Sequence, residues 1–362
     1  MRRGLNPFTF IPKIIFIFFI TVGLSEGLLR LYNKVNPTFI FPTSSYNRFR
    51  SKPFAEYYHF RSNSKGFYDR EYTVKKNPST YRILGIGDSF VAGIVPYPYN
   101  FLVRLEEKLN QETHSGFFEI INMGIHGMGV DSYSALLVNE GLELHPDMVL
   151  CCFFIGNDFR ERREGDQSYY VISFLKYLFN ILPNYKGKEL ARMQTYHDDA
   201  PTFTTKTFLR IETKRSRIYL GNGDFLRQLD YVTLYLRQMR DICRQKNIQF
   251  LVVIIPDELQ VNTTLQSAIL KNSSFPPGAF NFRRPNQLLR HELELLGIPY
   301  LDLLDDFEKA TLSKRQYKHN NTHWNIAGNE FAANLIFKKL EKMGILQHSH
   351  HDRVNNFIPQ QQ

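Results

Sequence analysis

Cysteine is scarce in this chain. There are three in 362 residues, and two of them, Cys151 and Cys152, are adjacent inside an apolar run. That excludes a disulfide framework, and no CxxC or Cys/His spacing suited to zinc occurs. Such cysteines act as small hydrophobes when buried. No metal and no cofactor is therefore expected. The His-rich stretch His348-Ser-His-His351 comes with no carboxylate or cysteine set and reads as solvated tail. Internal repeats are missing too. The formal net charge is +10, but no nucleic-acid-binding motif accompanies it. The excess therefore reads as spread over the surface, with no nucleic acid as partner, while attraction to anionic lipid or glycan stays open.

What is present is a large apolar content, 43% of residues, enough for a substantial core. The length suits one α/β domain with additions. The N-terminus carries Arg2 and Arg3, then an apolar stretch over residues 14–31. Eighteen residues are near the lower limit for crossing a bilayer. Glu26 falls near one end, where it can lie at the headgroups close to Arg30. A cleaved signal peptide is the rival reading, but no convincing small-x-small cleavage site follows. Residues 1–35 are accordingly expected to form a single-pass membrane anchor. Lys13 precedes the span with Arg2 and Arg3, and Arg30, Lys34, Arg48, Arg50 and Lys52 follow it, so charge does not decide its orientation.

Residues 36–79, rich in Pro, Ser, Asn, Tyr and Phe, read as an extended arm. Then strands and helices alternate. Strands are expected over 81–87, 117–122, 148–155, 248–256 and 298–302. Helices are expected over 101–110, 131–141 (with Asp131 as cap), 225–245, 282–296 and 326–343. The uninterrupted apolar run at 148–155 suits the middle of a parallel sheet. Residues 160–224 are polar and aromatic, with charge clusters such as Arg160-Glu-Arg-Arg-Glu164, and read as a lid-like insertion. The domain thus spans 80–345, and a polar tail fills 346–362. Strand–helix alternation predicts a three-layer α/β/α fold around a parallel sheet of about five strands.

In such a sheet, ligands bind at the carboxyl ends of the strands. The first loop there is Gly87-Asp88-Ser89-Phe90, with a serine at a helix N-terminus, where free N–H groups suit a developing oxyanion. The second is glycine-rich and includes Gly127. The third is Gly156-Asn157-Asp158, whose Asn157 side chain can donate to an oxyanion. The stretch Asn320-Asn-Thr-His-Trp-Asn325 precedes the last helix, and its His323 could take a proton from Ser89. Taken singly, each has a plainer reading: a helix cap, a flexible loop, a turn, one surface histidine among 11. The insertion carries Lys206, Arg210, Lys214, Arg215 and Arg217, which read as a solvated face or as a grip for an anionic glycan.

Together, the order Ser, Gly, Asn, His over residues 81–340 resembles the SGNH (GDSL-type) hydrolase family. The upstream Asn63-Ser-Lys-Gly66 and Tyr81-Arg-Ile-Leu look like its membrane-anchored bacterial members. The resemblance implies a flavodoxin-like fold. It implies Ser89 as nucleophile, His323 as base, and an oxyanion hole from the N–H groups of Ser89 and Gly127 with the Asn157 side chain. It also implies an acyl-enzyme intermediate, formed from an ester-bearing small molecule or an acylated glycan. Hydrolysis, or O-acyl transfer to cell-envelope glycan, would complete the reaction, with the domain outside the cytoplasm. One departure stands out. Where the family has an aspartate two or three residues before the histidine, this chain has Asn321 and Asn320. An asparagine carbonyl can accept the Nδ1 proton but cannot stabilise imidazolium as a carboxylate does. In a serine-protease triad, the Asp-to-Asn change costs about 10⁴ in turnover. A backbone carbonyl, Asp302, Asp305 or Asp306 could replace the missing acid. The alternative is a catalytically silent, membrane-anchored glycan-binding protein.

Overall fold

The structure, a computed structural model, describes residues 7–35, 51, 53–113, 117–159, 169–179, 195–221 and 223–347. The expected tail beyond residue 347, with His348–His351, lies outside the described residues. So do Arg2 and Arg3, residues 36–50 of the arm, Lys52, and residues 160–168, 180–194 and 222 of the insertion.

Two short strands, β1 (Glu56–Tyr57) and β2 (Phe60–Arg61), form an antiparallel hairpin in the arm. The main sheet has five parallel strands: β3 (Tyr81–Gly87), β4 (Phe118–Gly124), β5 (Met148–Phe154), β6 (Gln249–Ile255) and β7 (Tyr300–Asp302). Their order across the sheet is β4-β3-β5-β6-β7. Counted within the sheet alone this is 2-1-3-4-5, the flavodoxin-like arrangement.

The helices are α1 (Pro7–Val35), α2 (Ser89–Ala92), α3 (Phe101–Glu112), α4 (Val130–Leu136), α5 (Tyr170–Leu178), α6 (Thr205–Arg215), α7 (Gly223–Gln245), α8 (Glu258–Val261), α9 (Thr263–Asn272), α10 (Arg284–Leu295), α11 (Leu304–Ser313) and α12 (Ile326–Lys342). Every residue of β3 and β5 is buried, as a strand covered on both faces must be. Alternate residues part to the two faces. Leu84, Ile86, Val149, Cys151, Val252 and Ile254 meet the apolar sides of α4, α7 and α10. Ile83, Leu150, Cys152, Phe154 and Val253 meet α3, α11 and α12. The result is a three-layer α/β/α domain.

Helix starts follow side-chain capping. Asn100 accepts from the N–H of Leu102 to open α3, and Asn325 accepts from Gly328 to open α12. The expected cap Asp131 is instead inside the first turn of α4, and Gly129 occupies the cap position. Helices α8, α9 and α11 were not anticipated. Each is short, and α8 and α9 are announced only by single capping residues, Asp257 and Asn262.

The arm packs on the domain through Asp69, which is buried. Its carboxylate accepts the N–H of Asn122 in β4 and the Tyr97 hydroxyl, both at 2.7 Å. Phe60 stacks on Tyr97 with centroids 3.8 Å apart. In the insertion, Phe208, Ile218 and Tyr219 are buried in the same core as α7 and α10. Residues 205–220 are thus packed into the domain rather than standing off it. Helix α1 includes a 22-residue apolar stretch, Ile11–Tyr32, long enough to cross a membrane. Its Glu26 pairs with Arg30 at 2.7 Å.

Gly124 closes β4 against α2. A Cβ there would lie 2.0 Å from the backbone nitrogen of Ala92. Backbone cannot yield as a side chain does. Gly124→Ala is expected to destabilise the domain by about 1–3 kcal/mol or more, read as a lowered Tm. An unchanged Tm would contradict the packing described.

Candidate active site

Strands β4 and β5 lie on opposite sides of β3, so the chain crosses in opposite directions from β3's neighbourhood. The crevice at the carboxyl ends of β3 and β5 is the switch point of the sheet. Ser89 and Asn157 both emerge there. Gly87 makes the close approach tolerable, since a Cβ on it would meet the Cys152 carbonyl oxygen at 2.9 Å. The buried Asp88 caps α2 by accepting the Phe90 N–H at 2.9 Å. Ser89 is therefore the first helical residue, not the cap, and its hydroxyl points into the crevice.

There it meets His323. The Ser89 Oγ to His323 Nε2 distance is 2.6 Å. His323 sits just before α12, in a turn braced by the Tyr317–Trp324 bridge and by the Lys318 N–H donating to the His323 carbonyl at 2.9 Å. The Phe90 ring lies 4.9 Å from the imidazole, centroid to centroid. On the other side of the ring, His323 Nδ1 is 2.6 Å from Asn321 Oδ1. The Asn321 amide is oriented by its own donor, which bonds the Thr202 hydroxyl at 3.1 Å. Its oxygen must then face the imidazole. Nδ1 carries the proton, and Nε2 is left to accept from Ser89.

Asn320 does not share this role. Its backbone is left-handed (φ 49°), and its amide donates to the Phe203 carbonyl and the Thr205 hydroxyl at 3.1 and 3.3 Å. Two of the three aspartates considered as substitutes are engaged elsewhere. Asp302 accepts from Asn286 and the Leu304 N–H, and Asp305 pairs with Arg283. Asn157 donates to Asp88 Oδ2 at 3.0 Å, using one of its two amide hydrogens. Gly127 turns the loop after β4 with φ 71°, a conformation glycine adopts without strain. That loop is held beside the end of β3 by the Ile125 N–H, which donates to the Gly87 carbonyl at 3.1 Å.

Desolvation holds His323 well below the usual histidine range, and Arg215, His126 and Lys318 lower it further by charge repulsion. The ring is neutral at neutral pH, as a general base must be. Burial pushes the Asp88 carboxyl up, against the hydrogen bonds from Phe90, Asn157 and Ser89 and the pull of Arg215. Arg215 itself turns inward from α6. It pairs with the buried Glu212 at 2.7 Å and lies 5.9 Å from the centroid of the Phe154 ring. By contrast Lys206, Arg210, Lys214 and Arg217 surround an open concavity of about 470 Å³ beside Asn272. The five cations grouped in the sequence thus divide: four face solvent and one faces the site. Asp88, Thr202 and His126 had no reading from sequence as parts of the site. The first signals itself as a cap residue, and the others are recognisable only by contact.

No family model and no curated protein sequence matches the chain. Solved structures do. An acetyl xylan esterase is 14% identical, covering 72% of this chain and 99% of its own, with a TM-score of 0.43. An acetylxylan esterase from Geobacillus stearothermophilus, a catalytic mutant, is 13% identical over 74% and 96%, with a TM-score of 0.42. A GDSL-like lipase from Bacteroides thetaiotaomicron is 11% identical over 73% and 89%, with a TM-score of 0.36. The chemistry open to this chain is carried by its own site geometry.

Two outcomes are expected. Any activity dependent on His323 should persist to pH values below about 6.5, the ordinary histidine value, because protonation occurs only below the depressed pKa. An acidic limb of kcat/KM at or above that value would contradict the electrostatics. Asn321→Asp should supply the missing charge. It should move that limb to higher pH and raise turnover on the order of tenfold or more, a fraction of the about 10⁴ lost by the reverse change in a protease triad. No change in either would mean that Asn321 does not orient the ring.

Proposed function

We propose that the chain is a membrane-anchored serine ester hydrolase of the SGNH (GDSL) type. The observation that carries this reading is the pair of contacts Ser89 Oγ–His323 Nε2 and His323 Nδ1–Asn321 Oδ1, both 2.6 Å, joined through the imidazole. A nucleophile bonded to a base that is itself oriented by a third group is the arrangement acyl transfer requires.

In this mechanism Ser89 Oγ attacks the ester carbonyl while His323 Nε2 takes its proton. The oxyanion is met by the N–H groups of Ser89 and Gly127 and by the second amide hydrogen of Asn157. Losing one such donor typically costs about 10²–10³ in turnover. His323 returns the proton to the departing alcohol, leaving an acyl-enzyme. Water, or a sugar hydroxyl in O-acyl transfer, then attacks with His323 again as base. Helix α1 anchors the protein, with the domain outside the cytoplasm, where acylated glycans of the cell envelope would be met.

A second reading has its own support. Asn321 supplies no negative charge to an imidazolium, and the cations around the α6 concavity suit an anionic glycan. In that case the protein binds glycan without turnover.

The deciding experiment is hydrolysis of a short-chain aryl acetate by the detergent-solubilised full chain, with Ser89→Ala beside it. The variant should lose at least about 10³-fold in kcat with its Tm unchanged. Activity equal in both would remove Ser89 as nucleophile. No turnover in either, with glycan affinity unaffected by Ser89→Ala, would favour the binding protein.

A further inference from the structure

Helix α5 meets α1 through a polar clasp. Glu26 Oε1 accepts the N–H of Tyr170 and Oε2 that of Val171, each at 3.0 Å. These N–H groups belong to the first turn of α5 and have no partner within the helix. Arg30 pairs with the same carboxylate and lies over the Tyr170 ring, 4.6 Å from its centroid. A carboxylate within an apolar span is costly unless partnered. Here a helix N-terminus and a guanidinium both partner it. The face of α1 around Ser25, Glu26 and Leu29 is correspondingly less exposed than the rest of that helix.

Several apolar residues of α5, and Phe179 just after it, are uncovered. Ile172, Phe174, Leu175, Leu178 and Phe179 are all exposed, the last two by 60% and 68%. Ile172, Leu175 and Phe179 follow i, i+3, i+7 spacing and share one helical face. Soluble surfaces rarely carry so contiguous an apolar patch. The helix that carries it packs against α1, whose Leu24 and Leu28 are also exposed. Continuity with a helix of bilayer-crossing length identifies the occupant as lipid acyl chains.

We propose that α5 is a second membrane-seated element, clasped by Glu26 to the C-terminal half of α1 with Ile172, Leu175, Leu178 and Phe179 in the same bilayer. This rests on the reading of α1 as a membrane span. Nine residues make a helix of about 13 Å, too short to cross and suited to lying at the interface. Because α5 follows Asn157 closely in the chain, the insertion that leaves the β5 end is pinned to the membrane. Ester groups displayed at the membrane surface are the substrate class this favours.

The test uses the full chain in phosphatidylcholine vesicles, with a bimane label on one introduced cysteine. The three native cysteines are buried. Labels follow Ile15→Cys in α1, Leu178→Cys in α5 and Leu312→Cys in α11, the last a site 84% exposed. Lipids brominated on the acyl chain should quench the labels at 15 and 178 comparably and leave that at 312 bright. Adding Glu26→Gln should abolish quenching at 178 and spare it at 15. A bright label at 178 beside a quenched one at 15 would overturn the proposal while leaving the anchor intact. Bright labels at both would overturn the anchor, and the proposal with it. Quenching at 178 that survives Glu26→Gln would overturn the clasp.

Discussion

Covering both faces of a parallel sheet leaves few places where polar groups can gather. The backbone of β3 and β5 is hydrogen-bonded along its length, and their side chains are committed to the two apolar layers. At the carboxyl ends, a helix start and polar side chains coincide. The strand order then opens a crevice where β4 and β5 flank β3. Ser89, Asn157 and the loop carrying Gly127 occupy that crevice because the sheet leaves them nowhere else to go. His323 reaches it from the far end of the chain because α12 packs beside α3 on the same face, bringing its N-terminal turn to the crevice.

The site is built to hold a neutral base. Phe90 packs on the imidazole, Asn321 fixes its tautomer without adding charge, and Arg215 and Lys318 repel a second cation. A carboxylate in the place of Asn321 would do the opposite, making imidazolium easier to form. Under the proposed mechanism, the histidine is well placed to receive the Ser89 proton but poorly supported once it has done so. In the proposed mechanism such an arrangement would lean more heavily on the oxyanion donors than a full triad does. It also makes Thr202 relevant, because its hydroxyl, with the His323 N–H that donates to Asn321 Oδ1, keeps that oxygen turned toward the ring.

The insertion between β5 and α7 connects these layers of organisation. Its later part supplies Thr202, which accepts from Asn321, and Arg215, whose charge acts on His323, with Phe208 and Tyr219 in the core. Its earlier part contacts the N-terminal helix. Its described parts thus touch the turn that carries His323, the core and the N-terminal helix.

Much of the fold was readable from the sequence. The apolar runs at β3, β5 and β6 have no soluble alternative to a sheet covered on both sides, and the helices between them carry apolar residues at helical spacing. The N-terminal helix was readable from length and composition alone. Short helices such as α8 and α11 were not, because four to ten residues carry too little periodicity to stand out, and the cap of α4 shifted to Gly129 because a difference of two residues is beyond what spacing can resolve. In the site, the residue types at the strand ends suggested Ser89 and His323 as a pair, but proximity across 234 positions belongs to tertiary structure. So does the choice between Asn320 and Asn321. Adjacent asparagines are chemically identical in sequence. What separates them is a left-handed backbone at Asn320, which sends its amide to Phe203 and Thr205, and a threonine hydroxyl that turns Asn321 toward the ring. The sequence determined which groups are available, through local patterns of apolar spacing and turn chemistry. Their partners were decided by packing, because hydrogen-bond direction depends on neighbours brought together from distant parts of the chain.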